Sequence, residues 1–210
     1  MLLYMVPLAP NPTKVMLYLS ERNERGAELD IEQVMVNTLK GQHREPAHLA
    51  RNPFGTLPVL ELDDGSYLRE SLTIIDYLEM KFPNGSLSFD NIEQQARARE
   101  LERIVELKIA NPAGQYVHAT KSPIGLPADP DRAAQIKQQI QQPLDFLDEL
   151  LSDNRPYLFG NDVTTADFTL QAAFQFLRFI EENLIGSRDR LTAWDRHYRA
   201  RPAAKAVLKW

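Results

Sequence analysis

The sequence predicts an α/β domain at the N-terminus followed by an all-α domain at the C-terminus. Within the first 82 residues, segments of strand and helix character alternate in the order βαβαββα. A polar, proline-led segment follows at residues 83–86 and has the composition of a loop. From Ile92 onward no strand pattern is found, and the apolar residues recur at helical spacing. We therefore assign residues 1–82 to the first domain, 83–91 to a linker and 92–210 to the second domain.

The first domain opens with a short apolar strand at residues 2–5 and an amphipathic helix at residues 13–22. Asn11 is predicted to be the N-cap of this helix, because an Asn side chain accepts hydrogen bonds from the free amides of a first turn. Residues 30–36 alternate between apolar and polar like a strand, and residues 40–51 form a polar segment with a short helix. Together with the segment that follows them, these elements predict a thioredoxin-like α/β sandwich.

The segment at residues 52–77 predicts a loop, a strand, a tight turn, a second strand and a helix. Pro58 leads into the apolar strand at 59–62, and a proline is tolerated at the first position of a strand. Residues 63–66 supply the turn, since Asp-Gly takes the positive φ angles that two-residue turns need. Ser71 is predicted to cap the helix, whose apolar residues recur with a helical period.

The second domain contains only helical patterns and no internal repeat. The predicted helices span residues 92–119, 129–151, 165–182, 191–198 and 203–208. We expect the first of them to be interrupted and kinked at residues 112–114, Pro-Ala-Gly, because proline removes a backbone donor within a helix. Thr164 and Asp167 have the spacing of a capping box at the start of the third helix. That helix is so apolar that it is predicted to form the buried centre of the domain.

Composition and charge exclude several classes of protein. The chain is 43% hydrophobic and 25% charged, values typical of a soluble globular protein. No stretch approaches the roughly 20 apolar residues of a membrane span, and the first six residues lack the features of a secretory signal. A cytoplasmic location and no membrane partner are therefore expected. A net charge of −5 argues against a nucleic-acid partner, because such proteins carry a basic face.

Cysteine is absent from the chain, so it has no disulfide, no thiolate metal ligand and no thiol nucleophile of its own. The four histidines are scattered without metal-ligand spacing, and no metal site is expected. If thiol chemistry takes place on this protein, the sulfur belongs to a ligand.

Two free sets of backbone groups within residues 52–77 predict a binding site for a short anionic peptide. The residue before Pro58 can offer its N–H and C=O to an extended peptide. The helix that opens at Ser71 offers unpaired N–H groups and the positive end of its dipole to a carboxylate. A peptide with an anionic end satisfies both.

The ordered set Asn-Pro-Phe-Gly-Thr-Leu-Pro-Val-Leu at residues 52–60, followed by Arg-Glu-Ser-Leu at 69–72, resembles the glutathione-binding half of cytosolic glutathione transferases. The capping-box segment at 160–168 and the tail at 194–203 resemble the C-terminal domain of the same family. The resemblance implies the glutathione transferase fold, a cis peptide bond at Leu57–Pro58, a role in detoxification and a homodimer that completes the rim of the active site.

A member of this family must stabilise the glutathione thiolate, which requires the thiol pKa to fall by ~1.5–2 units, or about 2–3 kcal/mol. One or two charge-assisted hydrogen bonds to the sulfur supply this free energy. Ala9 stands where some members carry a serine and Leu3 where others carry a tyrosine. Tyr4 is shifted by one residue, which turns its side chain to the opposite face of the strand. Tyr4 is therefore interpreted as a core residue, although it stays an alternative donor.

Asn11 is the favoured catalytic residue. Residues 9–14 resemble the Thr-Pro-Asn loop of a bacterial subgroup related to a yeast nitrogen regulator, in which the Asn faces the glutathione sulfur. Ala9 in place of the threonine departs from that pattern. Two alternatives stay open: Asn11 acts only as a helix cap, or a backbone amide of Ala9 or Asn11 stabilises the thiolate, since the neighbouring prolines have no N–H.

The resemblance also assigns the remaining parts of glutathione to residues of this chain. Glu70 and Ser71 hold the γ-glutamyl end, and Leu57 beside Pro58 pairs with the cysteinyl unit. The glycine carboxylate is assigned to His43 and Arg44, whose alternative is a solvated loop. The second-substrate pocket is expected between the domains, at the helical segment that contains Asn111, Gln115 and Tyr116.

The predicted function is the addition of glutathione, as a co-substrate and without a metal, to small hydrophobic electrophiles. A glutathione-dependent disulfide reductase or peroxidase is an alternative, favoured by the Asn-containing loop. A glutathione-binding protein without turnover is a second alternative, favoured by Ala9.

Overall fold

The structure is a computed structural model that describes residues 1–209. A four-stranded mixed sheet in the order β2-β1-β3-β4 forms the centre of the N-terminal domain. Its strands are β1 (Leu2–Met5), β2 (Glu32–Met35), β3 (Val59–Glu61) and β4 (Tyr67–Arg69). β1 pairs with β2 in parallel, and β3 is antiparallel to both β1 and β4. The predicted strands are confirmed, with ends that differ by one or two residues.

Helices cover the sheet, and the strand period decides which side chains meet them. The N-terminal helices are α1 (Pro10–Glu24), α2 (Pro46–Arg51) and α3 (Ser71–Lys81), with a 3₁₀ turn at Gln42–Arg44. Leu3 and Met5 of β1 point to one face and join the main core with buried residues of α1 and α3. Tyr4 points to the opposite face, where it packs in a small cluster with Val36 and Val59.

The two helices of the predicted peptide site begin at other residues than the sequence predicted. Ala9, not Asn11, is the N-cap of α1, and its carbonyl accepts from the Thr13 N–H at 3.0 Å. Pro10 takes the first helical position because its fixed φ angle suits it. Glu70, not Ser71, precedes α3, and its carbonyl accepts from the Ile74 N–H at 3.0 Å. Asn11 and Ser71 therefore lie inside their first turns.

The second domain is helical throughout its described part, as predicted. Its helices are α4 (Ile92–Val105), α5 (Asn111–Lys121), α6 (Pro130–Gln139), α7 (Gln141–Leu150), α8 (Thr165–Phe179), α9 (Asp189–Arg199) and α10 (Pro202–Val207). α8 is buried along most of its length and packs against α1, α4 and α5. The capping box of Thr164 and Asp167 is confirmed. Burial raises the pKa of Asp167, whose carboxylate also accepts from the Trp194 indole N–H at 2.9 Å.

Two helix predictions were wrong in detail. The first long helix is interrupted before Pro112, by a π-helical turn at Glu106–Ala110 in which the Asn111 N–H bonds to the Glu106 carbonyl. Pro112 has no N–H and crowds the carbonyl four residues earlier, so the wider π turn absorbs the irregularity upstream of the proline. The helix predicted at 129–151 is divided at Ile140, three residues before Pro143, for the same reason.

A buried arginine ties the linker between the domains to the first domain. Arg22 of α1 is fully buried and donates to the Glu79 carboxylate of α3, and its guanidinium also donates to the Phe82 carbonyl and, at 3.0 Å, to the Asn84 carbonyl. The same Glu79 carboxylate accepts from the Leu87 N–H at 3.1 Å. This ion pair fixes the chain that leads from α3 into the second domain.

Candidate functional site

The N-termini of α1 and α3 meet at one edge of the first domain. The Ser71 hydroxyl lies 3.4 Å from the Asn11 side-chain oxygen, a long hydrogen bond. Ser71 is buried and Asn11 is exposed to solvent. The first-turn N–H groups of a helix have no helical acceptors, so the positive ends of two helix dipoles point to this edge. Two of the predicted site residues are therefore side by side, in surroundings that favour an anion.

Glu70 occupies the turn between β4 and α3 in a backbone conformation that non-glycine residues rarely adopt. Its φ angle is 68° and its ψ angle is 120°. Such a conformation costs on the order of 1–3 kcal/mol and persists at sites where the surrounding structure enforces it. The Glu70 side chain is exposed, next to the first turn of α3. Backbone strain and an exposed carboxylate therefore coincide at the predicted γ-glutamyl site.

The peptide bond between Leu57 and Pro58 is cis, as predicted. It lies just before β3, with Pro58 buried and Leu57 half-buried. The loop ahead of it contains Gly55, whose φ angle is 64°. A Cβ atom there would lie only 2.9 Å from the His43 carbonyl oxygen, so this position requires a glycine. The loop therefore packs directly against the 3₁₀ turn that carries His43 and Arg44.

The two residues predicted to hold the glycine carboxylate differ in their electrostatics. Burial, with the charge of Arg44 and then His48, lowers the pKa of His43, so its imidazole is neutral at pH 7. Its Nδ1 is buried and has no hydrogen-bond partner within residues 1–209. Arg44 is exposed and permanently charged. Arg44 can therefore supply positive charge to a carboxylate, and His43 can supply only a neutral hydrogen bond.

A cavity of about 140 Å³ opens between the two domains next to Asn11. It is lined by Pro10, Asn11, Lys14, Glu106, Ala110, Asn111, Gly114, His118, Thr169 and Phe176. A cavity of this size holds a compact molecule, since a benzene ring fits in ~150 Å³. Asn111, predicted for a second-substrate pocket between the domains, is one of the residues that line this cavity, and its role toward a substrate stays a prediction.

Gln115 and Tyr116, predicted for the same pocket, are not among the residues that line this cavity. Residues 111, 114 and 118 share one face of α5, and position 116 is turned away from it, whereas position 115 lies at the edge of that face, next to Asn111. The Gln115 side-chain oxygen accepts from Arg132 of α6 at 2.7 Å, and Tyr116 is buried in the core.

His118 is a residue of the cavity that the sequence reasoning missed, although its spacing of seven residues from Asn111 is a helical signal. Its Nδ1 lies 2.9 Å from the Ser122 hydroxyl oxygen, and its ring packs edge-on against Phe176. Burial lowers the pKa of His118, so the imidazole is neutral at pH 7. A neutral ring has one N–H that donates a hydrogen bond and one nitrogen that accepts one.

A buried ion cluster forms the floor of the cavity and joins the domains. The Lys14 ammonium of α1 contacts the Glu106 carboxylate and lies 3.6 Å from the Glu102 carboxylate. Lys14 is 2% exposed and Glu102 is 1% exposed. The Thr169 hydroxyl donates to one Glu102 oxygen at 3.0 Å, and the other oxygen has no partner among residues 1–209. Burial raises the pKa of Glu102, and the Lys14 charge opposes that shift.

Tyr4, the alternative thiol donor, is already engaged on the other face of the sheet. Its hydroxyl donates to the Glu61 carboxylate at 2.7 Å, and the Arg51 guanidinium lies 4.2 Å from the centre of its ring. Burial and Glu61 raise its pKa. Tyr4 therefore lies away from the edge where Asn11 and Ser71 meet.

The described residues contain neither a metal-binding cluster nor a membrane-spanning helix. Between residues 1 and 209, no group of three or more His, Cys, Asp or Glu side chains is arranged to hold a metal ion. In the same part of the chain, every helix is too short or too polar to cross a membrane.

Comparison with known proteins gives matches over both domains. The sequence profile of the glutathione S-transferase N-terminal domain matches residues 3–86, and that of the C-terminal domain matches residues 129–200. Glutathione S-transferase 3 of Zea mays is 33% identical over 218 residues, covering 98% of this chain and 92% of the relative.

Two crystal structures extend the match to the fold. A glutathione S-transferase domain-containing protein of Marinobacter aquaeolei VT8 is 31% identical, with a TM-score of 0.85 over 97% of this chain and all of that one. Gtt2 of Saccharomyces cerevisiae is 28% identical, with a TM-score of 0.86 over 99% of this chain and all of that one. The similarity therefore includes the sheet, the helical domain and their arrangement.

Proposed function

Because this chain belongs to the glutathione S-transferase family, we propose that it binds glutathione, stabilises the thiolate and adds it to small hydrophobic electrophiles. One observation carries the proposal: the side chains of Asn11 and Ser71 meet where two helices begin, on the rim of the cavity between the domains. An anion held at this edge has its sulfur next to a compact, partly apolar space.

The γ-glutamyl carboxylate binds at the first turn of α3, where the Ser71 hydroxyl and backbone N–H donate to it. Glu70 is exposed beside this turn and receives the γ-glutamyl amine as its counter-charge. Leu57, next to cis Pro58, pairs its backbone with the cysteinyl unit. Arg44 supplies the charge for the glycine carboxylate, and the neutral His43 adds a hydrogen bond.

Asn11 stabilises the sulfur with its side-chain NH₂ group. Its side-chain oxygen lies on the side of Ser71, so the NH₂ group is turned away from Ser71 and is free for a thiolate, and the long contact between the two side chains opens when the Ser71 hydroxyl donates to the carboxylate. The dipole of α1 adds to the effect. The thiol proton leaves to solvent, a sulfur lone pair attacks the electrophilic atom in the cavity, and the bond to the leaving group breaks. Asn111 and the ring of Phe176 line the space for the electrophile, and the places of Gln115 and Tyr116 in it stay predictions.

A glutathione-dependent disulfide reductase or peroxidase is the second candidate. It is favoured by the amide side chain at position 11. Because the chain has no cysteine, every sulfur in a thiol–disulfide exchange must come from a ligand. Parallel assays of the purified chain with glutathione and a chloronitrobenzene, hydroxyethyl disulfide or cumene hydroperoxide separate the two activities. We expect turnover with the chloronitrobenzene to be the fastest.

Glutathione is expected to raise the melting temperature whichever activity dominates. A ligand present at 100 times its Kd adds about 2.7 kcal/mol to the free energy of unfolding. A raised melting temperature with no turnover in the three assays identifies a binding protein without catalysis. An unchanged melting temperature contradicts the proposal.

We also propose a homodimer and a cytoplasmic role in detoxification. Large apolar side chains are exposed on both domains, with 71% of Phe54, 78% of Met80 and 83% of Ile92 accessible in the single chain. Such exposure is typical of surfaces that bind a partner. Sedimentation velocity is expected to give twice the chain mass of 24.0 kDa, and a species of the chain mass contradicts the dimer.

A further inference from the structure

The loop that leads into Pro58 is held from inside the protein by two buried polar side chains. The Asn52 side-chain nitrogen donates to the Thr56 carbonyl oxygen at 2.9 Å, and the His48 Nε2 lies 3.1 Å from the same oxygen. Asn52 is 1% exposed and His48 is 2% exposed. The Asn52 oxygen accepts from the Phe54 N–H at 3.2 Å, which fixes the orientation of the amide.

The Thr56 carbonyl determines which ring nitrogen of His48 must carry a hydrogen. A carbonyl oxygen only accepts hydrogen bonds, so Nε2 must carry a proton and donate. The other ring nitrogen, Nδ1, is buried and has no partner within the described chain. A buried polar atom without a partner costs free energy that an apolar side chain of the same size does not. Packing alone therefore does not explain a histidine at this position.

Because a peptide group is planar, the hydrogen bonds that fix the Thr56 carbonyl also fix the direction of the Leu57 N–H. Among residues 1–209 the only cis peptide bond is Leu57–Pro58, so the preceding bond from Thr56 to Leu57 is trans. In a trans peptide the C=O and N–H point in opposite directions. Because the Thr56 carbonyl is drawn inward, the Leu57 N–H points outward. This N–H has no acceptor in the described chain.

We propose that His48 and Asn52 are positioning residues, which aim the Leu57 N–H at the carbonyl of the cysteinyl unit of glutathione. The inference rests on the proposed function and deepens it. Neither side chain touches the ligand, and each acts through the Thr56–Leu57 peptide plane. Their loss lets this plane rotate, so that glutathione binding weakens while the chemistry at sulfur is unchanged.

Two variants at position 48 test the proposal on the full chain. His48→Phe keeps the ring and removes the donor, and we expect the KM for glutathione to rise about three- to tenfold, the equivalent of one neutral hydrogen bond. The kcat at saturating glutathione should stay within about twofold, because Asn11 and the cavity are untouched. His48→Gln restores an N–H donor and should recover most of the affinity. A kcat loss without a KM change, or no rescue by glutamine, contradicts the proposal.

A glutathione analogue shows whether His48→Phe weakens binding by misdirecting the Leu57 N–H or by disturbing the structure in general. Calorimetry compares glutathione with an analogue in which a methylene replaces the cysteinyl carbonyl. The wild-type chain should bind the analogue about tenfold more weakly, and in His48→Phe this ratio should fall to about twofold. An unchanged ratio assigns His48 a structural role only and overturns the inference.

An NMR measurement on the wild-type chain tests the proposal without relying on a variant that must fold. In a leucine-¹⁵N-labelled sample, the Leu57 amide proton should shift on addition of glutathione and shift much less with the analogue. Equal shifts overturn the inference while glutathione binding itself stands. If the wild-type chain binds neither ligand, the proposed function fails as well, and calorimetry with glutathione alone shows this first.

Discussion

Asn11→Ala is expected to lower the kcat for glutathione conjugation by about 10- to 100-fold. The reason is the loss of one hydrogen bond to a charged sulfur, which contributes about 1.5–3 kcal/mol. The Kd for glutathione should change by less than about threefold, because Ser71, Arg44 and the Leu57 backbone still hold the rest of the tripeptide. Steady-state kinetics with a chloronitrobenzene, together with calorimetry, measures both quantities. A direct titration of bound glutathione by thiolate absorbance should show a raised thiol pKa in the variant.

Asn11→Asp is the matched variant for this experiment. It keeps the size of the side chain but replaces the NH₂ donor with a negative charge near the sulfur, so it should be less active than Asn11→Ala. Asn11→Ser returns a hydroxyl donor and should recover part of the activity. Wild-type turnover in Asn11→Ala would show that a backbone amide, not this side chain, stabilises the thiolate.

Lys14→Met is expected to lower the free energy of unfolding by about 3–5 kcal/mol at pH 7. The variant leaves the buried Glu102 and the partly buried Glu106 without their cation, and an uncompensated buried charge costs about this much. Urea unfolding measures the loss. Lys14→Arg keeps the charge and should lose much less. Lys81→Met is the control, because it removes an ion pair with Asp63 at the protein surface. It should lower the free energy of unfolding by less than about 1 kcal/mol.

The loss caused by Lys14→Met should depend on pH. Burial raises the pKa of Glu102 in the folded chain, so the stability linked to its proton is fully present below the unfolded pKa and is lost as the pH rises through the folded pKa. Without Lys14, which favours the charged form, this pKa rises further. The destabilisation should therefore be smaller at about pH 5 than at pH 7. Equal losses at the two pH values would mean that Glu102 is not the group that responds.

Local motifs made part of the fold predictable from the sequence. The capping box of Thr164 and Asp167 is specified by neighbouring residues, whereas the cis bond at Leu57–Pro58 was implied by the family resemblance; both are found in the structure. The starts of α1 and α3 were less well specified. Prolines at 10 and 12 both suit a first turn, so the sequence alone did not show that α1 begins at the earlier one.

The cavity was the part that the sequence could not predict. Lys14 and Glu106 are 92 residues apart, and only the packing of α1 against the π-helical turn brings them together. That turn also changes the phase of the helix, so α-helical spacing counted back from Asn111 does not show that Glu106 and Ala110 face the same cavity. Asn111 was expected in a pocket from the resemblance, and His118, seven residues later in α5, could have been added by helical spacing.

The arginine that ties the linker also has a consequence for how the protein loses its structure. Arg22 is anchored in α1, yet its hydrogen bonds hold the Phe82 and Asn84 carbonyls, through which the chain passes to α4. If the first domain melted, this guanidinium would lose its acceptors, and α8 would lose one of the three helices against which it packs. Buried residues of both halves belong to one continuous core, so heat and urea should unfold both in one cooperative transition, and a half expressed alone should be less stable than the whole chain.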